Sequence, residues 1–402
     1  MKQVKWILLV GLFHQMVIYG SRPIIALLAD ELGASVLEIG LIAATFAVFP
    51  VFLAVRAGSR IDRWGYILPI VVGSLGVTIA LVLPYLFPAI AALYLSQMFA
   101  GVSQVFVNIS LQNGLGLIAP KEKRDHYFGW FSFAVSGGQF LGPVTLGFVS
   151  DRYDSMAAFL AGACLSLVPI LVGLRLYRIS RNDGMRNRPD GRHPADKPEE
   201  NPVENETAGE APRKWTMTEI LRIRGMHQAI LASMLAQFTK DVLLTYFPLY
   251  AVSRGLTETE IGVVLGLQGL SSMFIRMLQG SVTRRFPRRN VLLASLLTGG
   301  LCYGLITLFP HIGYLSLLAA LSGLGLGLAQ PLSTVMVINL SPAGQSGRVL
   351  GIRIAGNRVA QVVSPVLFGA VAQTAGLVFV FWTCSAILIA GAVYSTQSLQ
   401  FF

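Results

Sequence analysis

The sequence predicts an all-α integral membrane protein: twelve transmembrane helices in two six-helix bundles related by a pseudo-two-fold repeat. Three observations carry this. Of the 402 residues, 54% are hydrophobic and 13% charged, with a mean hydropathy of +0.63, whereas a soluble chain carries about 25% charge. Apolar runs long enough to cross ~30 Å of hydrocarbon recur about twelve times. The two halves of the chain also match each other at a constant offset of 222 residues.

In chain order, the first six spans are 6–29, 36–55, 66–86, 89–118, 127–149 and 156–177. The first follows the basic start MKQVKW and so resembles a signal peptide. It is long enough to span and no A-x-A-like site closes it, so it reads as a retained helix. Residues 178–214 are Pro-rich and polar, which predicts a disordered cytoplasmic linker. Residues 215–224 read as a short interfacial amphipathic helix. Then come spans 226–250, 259–283, 290–309, 312–340, 350–373 and 377–397. The domains are therefore 1–177, the linker 178–214, and 215–402.

The formal charge of +11 raises the question of nucleic acid, and the placement of the charges answers it. Lys2 and Lys5, Arg56, Arg60 and Arg63, Lys121, Lys123 and Arg124, and Arg284, Arg285, Arg288 and Arg289 all fall on one side of the predicted spans. The other side carries Asp30, Glu31, Asp151 and Asp154 with one Arg152, then Arg254, Glu258 and Glu260. This is the positive-inside pattern. It predicts cytoplasmic N- and C-termini in a cell membrane, with no nucleic-acid partner. Cys164, Cys302 and Cys384 lie within apolar segments and form neither a disulfide framework nor a metal site.

The internal repeat is more specific than glycine matches alone would make it. It pairs Gln15 with Gln237, Gly33 with Gly255, Glu38-Ile39-Gly40 with Glu260-Ile261-Gly262, and Gly101 with Gly323. Gly129, Gln139, Pro143 and Gly147 pair with Gly351, Gln361, Pro365 and Gly369. Parallel repeats of this kind characterise secondary transporters.

Two stretches point further. Between the second and third spans the chain reads Gly58-Ser59-Arg60-Ile61-Asp62-Arg63-Trp64-Gly65. In the fifth span it reads GWFSFAVSGGQFLGPVTLG over Gly129–Gly147, without a charge. There Ser132, Ser136, Gln139 and Pro143 share one helical face. With these residues the chain resembles the major facilitator superfamily over essentially its whole length, which implies the major facilitator fold. Gly58, Asp62, Arg63 and Gly65 match the family's loop, in which the Asp locks the outward-facing state; Tyr66, Ile67 and, in the second copy, Arg284 depart from it. Gly129, Gly138, Gly142, Pro143 and Gly147 match the fifth-helix motif of the drug/proton antiporter-like exporter branches, with Leu146 replacing one glycine. The resemblance implies efflux. In those exporters the fourth helix carries an Arg where this chain has Gln97, which departs from the usual proton relay.

The resemblance also implies that spans 1, 4, 7 and 10 line a central cavity, and each carries polar residues. Gln97, Gln104, Asn108 and Gln112 form a stripe on the fourth, Gln15, Tyr19 and Arg22 one on the first; Gln237 lies on the seventh and Gln330 on the tenth. Of these, Gln15, Tyr19, Gln97, Gln104, Asn108, Gln237 and Gln330 are the candidate substrate-cavity residues. The charged groups inside the spans are Arg22, Lys240, Asp241 and Arg358, and such groups are expensive in lipid. Asp241, paired with Arg22 or Arg358, is either a protonation site or a static ion pair that fixes helix packing. Three cations against one acid favour an organic anion or zwitterion as substrate over a lipophilic cation.

The expected function is secondary transport of a small molecule by alternating access, as proton-coupled export by a monomer, driven by the proton gradient without a cofactor or metal. The alternative is an importer or uniporter of a polar metabolite. A membrane sensor or an intramembrane enzyme is disfavoured: H-E-x-x-H, G-x-S-x-G and G-x-x-x-x-G-K-[ST] motifs are all missing from the sequence.

Overall fold

The computed structural model describes residues 2–118, 124–182, 217–342 and 346–398; within them, the side chains of 2, 53–64, 124–125, 179–182, 346–348 and 396–398 lie outside the description. The first half contains α1 (Lys2–Glu31), α2 (Val36–Trp64), α3 (Ile67–Leu86), α4 (Ile90–Ile118), α5 (Arg124–Arg152) and α6 (Ser155–Asn182). A short α7 (Met217–Arg222) precedes α8 (Met226–Ser253), α9 (Glu258–Met277), α10 (Gln279–Arg285), α11 (Arg288–Leu305), α12 (Ile312–Leu326), α13 (Ala329–Leu340), α14 (Ser346–Ala375) and α15 (Leu377–Ser398).

These helices make twelve spans, because α9 with α10 and α12 with α13 each form one. The chain alternates direction, so one end of the molecule carries the start of α1 and the ends of α6 and α15. We call this the terminal end and its opposite the distal end. Within the first bundle α1 packs on α5 and α6, α3 on α4 and α6, and α2 on α4; α8, α14, α15, α11, α12 and α9 repeat that pattern in the second. The bundles meet along two equivalent seams, α5 against α9 and α2 against α14, with α1 touching α8 between them.

Among the described residues, eight spans are long and apolar enough to cross a membrane by length and composition, counting α9 and α10 as one. In α2 the stretch described to its side chains, Val36–Phe52, is apolar. α5 runs along a seam, and α8 is buried over most of its length. A helix covered by protein needs no lipid-compatible surface, so it can carry Lys240, Asp241 or a run of glycines. The remaining span, α11, has 18 residues.

Residues matched in the sequence repeat do matching jobs. Gly33 and Gly255 both take positive φ, 81° and 84°. The side chains of Ser35 and Thr257 then cap α2 and α9 by accepting from the N–H of Glu38 and Glu260. Ile39 and Ile261 are buried. A methyl group on Gly40 would run into the Pro365 carbonyl, and one on Gly262 into that of Pro143. The Glu-Ile-Gly triplet is thus a cap, a core contact and a backbone-to-backbone seam contact in three successive residues. Gly101 and Gly323 likewise pack on the carbonyls of Phe46 and Gln268.

Two expected spans are interrupted. The span expected over 259–283 bends by 58° between α9 and α10, next to the Gly280-Ser281 pair, a common site of kinks. The span expected over 312–340 has a turn at Gly327 and Leu328 between α12 and α13. The helix expected to end at 309 stops at Leu305. Most of the expected linker and interfacial helix lies outside the described residues; α7, with Ile220 buried, is the part that is seen.

Candidate transport site

The buried centre of the molecule is built on two adjacent residues of α8. Asp241 is fully buried, and both its carboxylate oxygens are occupied. Arg22 on α1 donates from Nη1 to Oδ1 at 2.9 Å, and Gln237, one turn earlier on α8, donates to Oδ2 at 3.0 Å. Gln237 in turn accepts from Gln330 on α13 at 3.0 Å. The Arg22 guanidinium lies over the Phe46 ring, 4.9 Å from its centroid. Lys240 points elsewhere, since successive helical residues diverge by about 100°. Its Nζ donates to Gln139 on α5 at 3.0 Å and sits 4.3 Å from the centroid of the Tyr19 ring on α1. Both contacts cross from the second bundle to the first. Arg22 and Asp241 thus form an ion pair at 2.9 Å.

Three cavities follow one another along this centre. The innermost, about 180 Å³, is lined by Tyr19, Arg22, Gln104, Gln237 and Arg358 among others. A narrow space of about 50 Å³ borders Tyr19, Gln139, Lys240, Arg276 and Gln330. The third, about 1100 Å³, is lined by Gln112, Trp130, Phe133, Gln330 and Arg353 among others. Tyr19 is shared by the first two, and Arg276 and Gln330 by the last two. The large cavity lies at the terminal end, between the start of α5, the end of α9 and α13. At the distal end the seams are shut by the glycine contacts of Gly40 and Gly262, and a methyl group on Gly147 would lie 2.6 Å from the Glu258 carbonyl. Among the described residues, the protein is therefore open at its terminal end and closed at the other.

The sequence-predicted residues divide. Tyr19, Arg22, Gln104, Gln237, Gln330, Lys240 and Arg358 line the cavities. Arg358 donates to Gln361 at 2.7 Å, so of the two expected partners of Asp241 the structure selects Arg22. Gln15 and Asn108 bond each other at 3.2 Å and Gln104 bonds Gln15 and His14, tying α1 to α4. Gln97 does not line the three cavities. It is buried beside a void of about 10 Å³ shared with Arg22 and Thr245. The cation that the resemblance places at position 97 thus reaches this depth from α1 as Arg22. Within the fifth-helix motif, Gly138 and Gly142 pack on the backbone of α1, while Pro143 and Gly147 meet α9. A Cβ on Gly129 would meet nothing within 4 Å, so this position lines open space instead of packing. In the loop expected to act as a conformational lock, Gly58, Asp62 and Arg63 fall in the stretch whose side chains lie outside the description; Gly65 ends α2 with φ 73°.

Two cations escaped the sequence reading. Arg276 on α9 donates from Nε to the Gly327 carbonyl at 3.0 Å, and Arg353 on α14 donates to the Gln330 carbonyl at 3.0 Å and Ser333 at 3.3 Å. Both fall inside the predicted spans, so a full count of charges per span contained the signal. They hold carbonyls at the turn between α12 and α13.

A sequence model of the Major Facilitator Superfamily matches residues 7–312 and 229–396. The chain belongs to the major facilitator superfamily. An uncharacterised MFS-type transporter of Methanocaldococcus jannaschii is 21% identical, covering 88% of this chain and 87% of that protein. The class E tetracycline resistance protein of Escherichia coli is 23% identical over 85% of this chain and 81% of its own length. Multidrug resistance protein 1 of Bacillus subtilis is 28% identical over 40% of this chain and 41% of its own. In fold, the chain superposes on the nucleoside transporter NupG with a TM-score of 0.77 at 14% identity, covering 99% of this chain and all of that one. A peptide transporter of the POT type in complex with sulfate gives 0.76 at 14% identity, covering 98% and 94%. This member of the superfamily is a multi-pass membrane secondary transporter of a small molecule, not an enzyme.

Proposed function

We propose that this transporter exports small organic molecules from the cytoplasm in exchange for protons, with Asp241 as the protonation site. The observation that carries the proposal is the Arg22–Asp241 pair, buried and spanning the two bundles. Breaking a buried pair by removing one partner costs about 3–5 kcal/mol, enough to bias a rocking equilibrium. Protonating Asp241 removes the charge that holds Arg22, and so weakens the link between α8 and α1. Arg358, Lys240 and Tyr303 are the other ionisable groups around it. The positive-inside pattern puts the terminal end in the cytoplasm, so the open cavity faces the expected source of an exported substrate. The fifth-helix motif and the resistance proteins among the relatives support the direction.

The test is transport in proteoliposomes under an imposed pH gradient, with a panel of amino acids, sugars, siderophore-like chelates and drugs. Asp241→Asn is expected to lose uphill transport while keeping substrate exchange without a gradient. Undiminished uphill transport by Asp241→Asn contradicts the proposal, and uptake in the opposite direction replaces it with import.

A further inference from the structure

Charge along the cavities is one-sided. From mouth to centre the path passes Arg353, Arg276, Lys240, Arg358 and Arg22. Among the described residues, none that lines these three cavities is a carboxylate. Asp241 sits behind Arg22 and Gln237 and neutralises Arg22. The other four cations have neutral partners: a carbonyl for Arg276, a carbonyl and a hydroxyl for Arg353, and amide oxygens for Arg358 and Lys240. A charge withdrawn from water without a counter-charge costs several kcal/mol even after relaxation. Four of them along one path are tolerable while water fills it, and become favourable when an anion enters.

We infer that the substrate is an amphipathic organic anion, recognised at the mouth by Arg276 and Arg353. This names the substrate class of the cavity and rests on that cavity being the transport path. The apolar half of the recognition is on the same walls. Trp130, Phe133, Met273, Met277 and Pro331 line the large cavity together with the arginines, and Trp130 and Phe133 stack edge to face at 5.8 Å. At about 1100 Å³ the cavity holds a molecule of several fused rings. Gln330 is shared between the mouth and the narrow space, so an acidic group bound at Arg276 is already beside the passage to Lys240. A lipophilic cation would meet the opposite field at every step.

Two dyes with one xanthene ring system separate charge from shape: carboxyfluorescein, an anion, and rhodamine 6G, a cation. Their binding to the detergent-purified full chain is read by fluorescence polarisation, which needs no gradient and no transport direction. Failure of the export reading therefore leaves this result untouched. Carboxyfluorescein is expected to bind saturably and more tightly than rhodamine 6G. Arg276→Gln and Arg353→Gln are each expected to weaken it at least tenfold, and Arg276→Lys to weaken it less than Arg276→Gln. Because both arginines also hold backbone carbonyls, Gln112→Glu supplies a variant that spares them. It places a carboxylate on the cavity wall and is expected to weaken carboxyfluorescein and strengthen rhodamine 6G. Tighter binding of rhodamine 6G, no saturable binding of carboxyfluorescein, or indifference of both dyes to Gln112→Glu overturns the inference.

Discussion

Lys240 and Asp241 are neighbours in sequence, yet they reach different helices of the other bundle, α5 and α1. Each is supported by the residue it meets, Lys240 by an amide and a ring face, Asp241 by a guanidinium. The two contacts differ in what removes them. A proton on Asp241 would discharge one, whereas the other needs only a water molecule to replace Gln139. Arg22→Gln is therefore expected to destabilise the protein by about 3–5 kcal/mol, the cost of stranding a buried charge. The double variant Arg22→Gln with Asp241→Asn should recover most of that loss. Thermal unfolding of the four proteins in the cycle measures the coupling, and additive losses contradict it. The depth of Asp241 and its need for a basic partner were legible in the sequence, because a lone acid inside a span has few ways to be tolerated. Which arginine it takes was not, since that depends on how α1 and α14 are rotated about their axes. The Gln139–Lys240 contact was invisible for the same reason.

Elements meet at the seams through backbone, and the chemistry there is steric. On α9 and α2, Gly262 and Gly40 approach the carbonyls of Pro143 and Pro365, so a larger side chain has nowhere to go while the distal end is shut. Overpacking a fitted site costs about 1–3 kcal/mol. Gly262→Val and Gly40→Val should shift the population toward the distally open form, read as faster maleimide labelling of a cysteine at Ser150→Cys, a near-isosteric change at a buried residue near the distal end of α5. Gly129→Val, which meets nothing within 4 Å, is the control and should leave the rate unchanged. Equal labelling in all three variants contradicts the role given to the seam glycines. The repeat made these positions visible as matched letters, and the caps at Ser35 and Thr257 follow from sequence rules alone. The bend between α9 and α10 and the turn after Gly327 were hidden, because an apolar run shows length without showing where its axis changes direction. Arg276 and Arg353 are the other side of that omission: they bond carbonyls at and beside a turn that the unbroken span did not contain.

The molecule as a whole is a pair of bundles closed at one end, with a cationic path leading inward from the other. Orientation in the membrane follows from charge alone in this account. Tyr153, three-quarters exposed between α5 and α6, lies at the distal end, and Phe286, between α10 and α11, at the terminal end. In intact cells an impermeant maleimide should label Tyr153→Cys and spare Phe286→Cys; the reverse pattern would invert the topology and with it the meaning of the open cavity. The fold was legible at this scale because repeat, hydropathy and loop charge agree. The conformational state was not, since a sequence encodes both states of an alternating-access protein, and only the glycine contacts show which end is shut. The central claim is that the proton on Asp241 selects between those states. Spin labels at Trp130→Cys on α5 and Met277→Cys on α9, on a background with Cys164, Cys302 and Cys384 replaced by Ala, report the width of the mouth by electron–electron resonance. In liposomes, acidification should shorten that distance in the otherwise unaltered protein, while Asp241→Asn should give one mixture of long and short distances, weighted to the short one, at every pH. A pH-dependent shift in Asp241→Asn equal to that of the parent would contradict the account.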